Sequence, residues 1–166
     1  MSILTLDLGQ QTGWTILKNG VIESGSESFH SGGLNGKLYS KFRRWLENKL
    51  QGISEVYFEK VVRHLGTYAA HHYGGFLAHL AACCEESNIP FQGVPIKTIK
   101  RFIAGNGNAT KDQVIEAVRK KGFFPCDDNE ADALALMFYV QSNYLNINKD
   151  INAIHLSGEQ KKFTKD

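Results

Sequence analysis

Four carboxylates stand out among apolar neighbours: Asp7, Glu59, Asp128 and Asp132. Asp7 ends the run Ile3-Leu4-Thr5-Leu6-Asp7, and Glu59 ends Val56-Tyr57-Phe58-Glu59. Asp132 lies in the stretch Ala131 to Val140, apolar almost all round. A lone charged group in such a setting costs several kcal/mol unless something pairs with it. Acids that converge from distant segments are suited to a divalent cation, which takes oxygen ligands and can promote hydrolysis.

The elements that must carry these acids can be read from periodicity. Residues 2–8 form an apolar strand, buried on both faces. Gly9 to Gly13 read as a turn, Trp14 to Leu17 as renewed extended chain, and Asn19-Gly20 as a two-residue hairpin. Val21 to Phe29 is the third strand, followed by a Gly/Ser-rich loop from His30 to Gly36. Leu38, Phe42, Trp45, Leu46 and Lys49 share helical spacing, which predicts a helix over 38–50. Ile53 to Glu59 is the fourth strand and Phe91 to Val94 a short fifth, with a helix over 68–86 between them. Short helices are expected over 96–103 and 110–121, and Asp127 or Asp128 opens a last one reaching about Tyr144. Thr110 and Gln113 have capping-box spacing.

This order predicts an α/β fold with a mixed five-stranded sheet flanked by helices. Asp7 and Glu59 then share the carboxyl edge of the sheet, where open α/β sheets form their sites. Asp128 and Asp132, four residues apart, face one way on a helix laid over that edge. Residues 1–147 read as one domain, and 148–166 as a polar, weakly patterned tail expected to be flexible.

Composition excludes several classes. No run of eighteen apolar residues is present, so no membrane span is expected. The first residues enter a strand pattern directly, so no signal peptide is expected. Cys83, Cys84 and Cys126 lack a Cys-x-x-Cys spacing and read as buried, reduced thiols of a cytosolic protein. Net charge is only +2, yet Lys97 to Lys121 holds seven Lys/Arg against Asp112 and Glu116. A basic stripe on a near-neutral chain suits either a polyanion or a solvated helix surface.

Lys111 falls in the first turn of its helix, where the macrodipole disfavours a cation, and an anion held there would remove the conflict. The glycines of Gly105-Asn106-Gly107-Asn108 let backbone approach a phosphate. Asp127 and Glu130 read as acids that complement a helix start. His64, His71, His72 and His79 show no ligand spacing with an acid and read as packing or surface residues. Asp-x-Gly-x-x-Thr-Gly turns like that at Asp7 also occur in sugar kinases and actin-like ATPases. This chain is too short for their two lobes.

In combination these segments resemble the RuvC-type Holliday junction resolvases, within the ribonuclease H-like nucleases. The resemblance runs from Ile3 to about Tyr139. Asp7 matches the family's opening Asp before a Gly turn, and Glu59 the acid ending the fourth strand. Gly105 through Val114 matches Gly-x-Gly-x-Ala-x-Lys-x-Gln-Val, including Lys111, and Asp132 to Ala135 matches the closing Asp-Ala-Leu-Ala. One position departs: the family's Asp or His three residues before the last Asp is Asn129 here, with Asp128 one residue earlier. Asp128 is the expected fourth ligand, and an Asn129 carbonyl the alternative. The Asp127–Asp132 string and short length look like phage or prophage relatives.

The resemblance implies a structure-selective endodeoxyribonuclease, a crossover junction endodeoxyribonuclease, that resolves Holliday junctions by paired symmetric nicks. It implies two Mg²⁺ ions about 4 Å apart, with Mn²⁺ able to substitute. Asp7, Glu59, Asp128 and Asp132 would be their ligands, and Lys111 would stand near the scissile phosphate. Lys97, Lys100, Arg101 and Arg63 would contact DNA, chiefly four-way junctions. A homodimer in the cytoplasm of a bacterial or phage-infected cell is implied, with the Ala-rich segment 68–86 as its face. The alternatives are a nuclease of other branched DNA, such as flaps or forks, and a binding-only junction protein with a degenerate site.

Overall fold

The computed structural model describes residues 1–30, 36–62 and 66–143. The predicted loop over 30–36 falls mostly outside them, as do Arg63, His64 and the whole predicted tail.

The strands are β1 (Ser2–Asp7), β2 (Gln11–Lys18), β3 (Val21–Ser28), β4 (Glu55–Lys60) and β5 (Phe91–Pro95). The helices are α1 (Gly36–Lys49), α2 (Thr67–Glu86), α3 (Ile96–Ala104) and α4 (Lys111–Lys120), followed by α5 over 128–143. The sheet order is β3-β2-β1-β4-β5. β1 pairs antiparallel with β2 and parallel with β4, and β4 is parallel to β5. The fold is therefore the expected mixed five-stranded sheet flanked by helices.

Strand alternation divides the core. Leu4, Leu6, Val56 and Phe58 point to one face, where Leu38, Phe42 and Leu46 of α1 and Phe76 and Leu80 of α2 cover them. Ile3, Val94 and Leu17 belong to the other face, packed by Ile99, Val114, Val118, Leu134 and Met137 of α3, α4 and α5. The Thr5 hydroxyl donates to the Ala133 carbonyl at 2.8 Å, so the odd-numbered side of β1 looks toward α5. Asp7 continues that side.

The Asn19-Gly20 hairpin forms as predicted, with positive φ at both residues (53° and 81°). The turn before it is shorter than predicted. β2 begins at Gln11, because residues 11–13 already pair with Glu27 and its neighbours on β3. Thr12 closes that turn by donating to the Gly9 carbonyl at 2.7 Å. Gly13 is thus a strand residue, opposite Asp7 in the ladder. β4 runs one residue past Glu59, to Lys60.

The reason for glycine at 13 is close approach. A Cβ there would lie 1.8 Å from the Asn129 carbonyl oxygen. The first turn of α5 therefore docks on the backbone beside Asp7. Gly13→Ala should destabilise the fold by roughly 3 kcal/mol or more, because backbone cannot yield as a side chain can. Urea denaturation would measure this, and an unchanged midpoint would show that α5 does not seat there.

Among the described residues, no helix is long and apolar enough to cross a membrane.

Candidate metal centre

Register brings the two strand acids together. Leu6 stands beside Phe58 in the parallel pair, so Asp7 and Glu59 follow at one level of adjacent strands. Both lie on the face covered by α5. Tyr73 of α2 steadies this end of β4: its hydroxyl donates to the Glu59 carbonyl at 3.1 Å and accepts from Val61 N–H. No sequence pattern singled out Tyr73, since its role depends on where α2 lands.

The electrostatics report the crowding. Glu59 is buried, with 8% of its surface exposed. Burial, then repulsion from Asp7 and Asp132, holds its carboxyl well above the usual range, against an opposing pull from Lys100. Asp7 keeps some surface open at the rim, yet protein crowds its carboxyl closely. Burial first, and then Asp132 and Asp128, push it up to about 8, with Lys111 pulling the other way. Burial raises Asp132 to about 6, with Lys100 and Lys111 opposing and Asp128 reinforcing. The structure thus brings Asp7, Glu59 and Asp132 within electrostatic reach of one another, and Asp128 within reach of Asp7 and Asp132.

Asp128 has a different partner at hand. Lys111 Nζ donates to Asp128 Oδ2, forming an ion pair. That hydrogen bond holds the Asp128 carboxyl below its usual range. The anion at the start of α4 that Lys111 requires is therefore, in this structure, a protein carboxylate.

The neighbouring acids at the start of α5 are structural, as their types suggested. Asp127 Oδ1 accepts the Glu130 N–H at 2.8 Å, which makes Asp127 the helix cap. Glu130 is buried at 7% exposure and accepts from the Ser24 hydroxyl at 2.6 Å and the Cys126 N–H at 2.7 Å. It ties β3 to the start of α5. Glu130→Ala should cost about 2 kcal/mol through the orphaned partners, read as a lower thermal midpoint, with cation affinity nearly unchanged.

The loop before α4 is explained by its own geometry. Gly105 is the left-handed cap of α3 (φ 76°), and a Cβ at Gly107 would crowd the Lys97 carbonyl at 3.2 Å. Both arms of the Thr110–Gln113 capping box are present. Lys100 turns inward: its Nζ donates to the Ala109 carbonyl at 2.9 Å, and its charge acts on Glu59 and Asp132. Lys97 and Arg101 are exposed. Of the histidines, His72 is buried against Tyr68, with ring centroids 4.3 Å apart, and His79 stacks on Tyr39.

Among the described residues, no group of three His, Cys, Asp or Glu is gathered tightly enough to hold a metal ion as it stands. One of the four acids, Asp128, is paired with Lys111 instead. The donor chemistry nonetheless fits a hard divalent cation: the acids offer only carboxylate oxygens, and the raised Asp7, Glu59 and Asp132 lack sufficient positive charge.

A mixed five-stranded sheet with helices on both faces is a ribonuclease H-like fold. Within that class the chain is similar to RuvC. Thermus thermophilus RuvC in complex with a Holliday junction substrate superposes with a TM-score of 0.73 at 19% identity, covering 86% of this chain and 96% of that one. A second T. thermophilus RuvC structure gives 0.68 at 19% identity, covering 86% and 97%. The yeast mitochondrial Holliday junction resolvase gives 0.57 at 14% identity, covering 90% and 83%. No protein-family model matches the chain, and no curated protein matches it by sequence.

Proposed function

We propose that the protein is a metal-dependent, structure-selective endodeoxyribonuclease that resolves Holliday junctions by paired symmetric nicks. The observation that carries this reading is that Asp7, Glu59 and Asp132 lie within electrostatic reach of one another at one end of the sheet, with Asp128 in reach of Asp7 and Asp132. The RuvC-like fold supports it.

Asp7, Glu59, Asp132 and Asp128 would hold two Mg²⁺ ions, or Mn²⁺ in their place. Bound there, the ions would supply water activation and charge neutralisation at a phosphodiester. The chain's own part is positional. Asp7, between β2 and β4, is the acid best placed to be shared. Glu59 is kept in place by Tyr73 behind it. Lys111, exposed at the mouth, can offset charge developing on the phosphate. Lys97 and Arg101 are the proposed DNA contacts on the open side, with Lys100 held between the loop and the acids. Arg63 is proposed for the same role. A homodimer through α2 would present two such sites to a two-fold symmetric junction. A cytoplasmic location is part of the same proposal.

The test is a labelled synthetic four-way junction incubated with the purified protein, with and without Mg²⁺. Symmetric nicks that need the cation are expected. Equal cleavage of three-way or linear DNA in competition would assign the activity to other branched substrates.

One feature favours a second reading, binding without cleavage. Asn129 stands where RuvC-type resolvases carry Asp or His, and Asp128 is already paired with Lys111. Junction binding with no cleavage across Mg²⁺ and Mn²⁺ titrations would establish it.

A further inference from the structure

The Lys111–Asp128 pair joins an exposed lysine to a carboxylate beside the acidic cluster. The Lys111 side chain is 73% exposed and that of Asp128 29%. We propose that Lys111 holds the place of a cation at Asp128 in the metal-free protein, and that a divalent ion and Lys111 exchange on that carboxylate. The proposal rests on the metal-site reading above and adds to it a competitor built into the chain.

Three observations support the exchange. The backbone on either side of Lys111 is pinned, by Lys100 on the Ala109 carbonyl and by the Thr110–Gln113 capping box. Motion is therefore left to the Lys111 side chain, which solvent surrounds. The pair is exposed, and exposed ion pairs are weak, so a divalent ion with several carboxylates to bind can displace the ammonium. Lys111 also opposes the positive end of α4, so an anion beside it is favoured. Displaced from Asp128, its ammonium is left at the mouth of the cluster, where a phosphate can take the place of the lost carboxylate. Lys100 is not exchangeable in this way, because it is half-buried and tethered to a carbonyl.

The experiment is a calorimetric titration of MnCl₂ into four forms of the full chain: wild type, Lys111→Met, Asp128→Asn and the double variant. Lys111→Gln serves as a second replacement, and circular dichroism confirms folding of each. Lys111→Met should tighten Mn²⁺ binding by about two- to fivefold, the scale of an exposed pair. In the Asp128→Asn background that gain should disappear. A gain of equal size in both backgrounds would mean simple repulsion between Lys111 and the ion, and would overturn the exchange. Unchanged affinity in both Lys111 variants would overturn it as well. Wild-type protein that binds no Mn²⁺ removes the metal-site reading and the exchange with it, a result distinct from the other two.

Discussion

Asp7→Asn is expected to lower cleavage of a four-way junction about a thousandfold or more while leaving junction binding nearly intact. Asp7 lies at the centre of the group, at one level with Glu59 on β4 and opposite Gly13 on β2, where α5 docks. Among the described residues, no other acid has both neighbours. Electrostatic stabilisation by a bound cation is worth several kcal/mol, and each 1.4 kcal/mol is tenfold in rate. The amide keeps the shape but not the charge, so DNA affinity, set by the basic residues outside, should hold. Single-turnover cleavage and gel-shift binding separate the two. A variant that nicks at the wild-type rate would show that Asp7 is not a ligand.

The same substitution should have the opposite effect on stability without metal. The Asp7 carboxyl titrates near 8 in the folded chain, against 3.8 as its ordinary value. A raised carboxyl stabilises the fold below its unfolded value, and that contribution is lost as pH rises through the folded value. Metal-free protein should therefore weaken between about pH 4 and pH 8. The loss should be several kcal/mol and shared with Glu59, whose titration is linked to that of Asp7. Asp7→Asn removes the buried charge and should raise the thermal midpoint at pH 8 in EDTA. Added Mg²⁺ should raise the wild-type midpoint and do little for the variant. A wild-type profile that is flat with pH, or a variant no more stable than wild type, would contradict the crowding of charges at this rim.

Together the two expectations describe a common trade. The arrangement that suits a cation is unstable without one, so stability and activity respond in opposite directions to one carboxylate.

Much of this was legible locally. The Asn19-Gly20 hairpin and the Thr110 capping box each depend on a few adjacent residues and formed as read, and of the two acids read as opening the last helix, Asp127 is the cap. The strand acids were legible because an acid at the end of an apolar strand is costly wherever the strand goes. Asp132 was legible for the same reason, among alanines and leucines buried on all sides.

Other features needed the folded chain. Gly13 read as part of a turn, but ladder pairing with β3 and the approach of Asn129 made it a strand residue. Lys100 read as a DNA contact by its charge, and only the packing of α3 against the following loop turns it inward. The positions of Tyr73 behind Glu59 and of Lys111 on Asp128 likewise depend on which elements become neighbours.

By itself, then, the sequence determined which residues carry charge into apolar surroundings, because that conflict is local and follows from composition along each element. The tertiary structure alone decided which charges meet and which cation faces which carboxylate. Those outcomes depend on strand order and on contacts between distant segments, and spacing along the chain does not encode them.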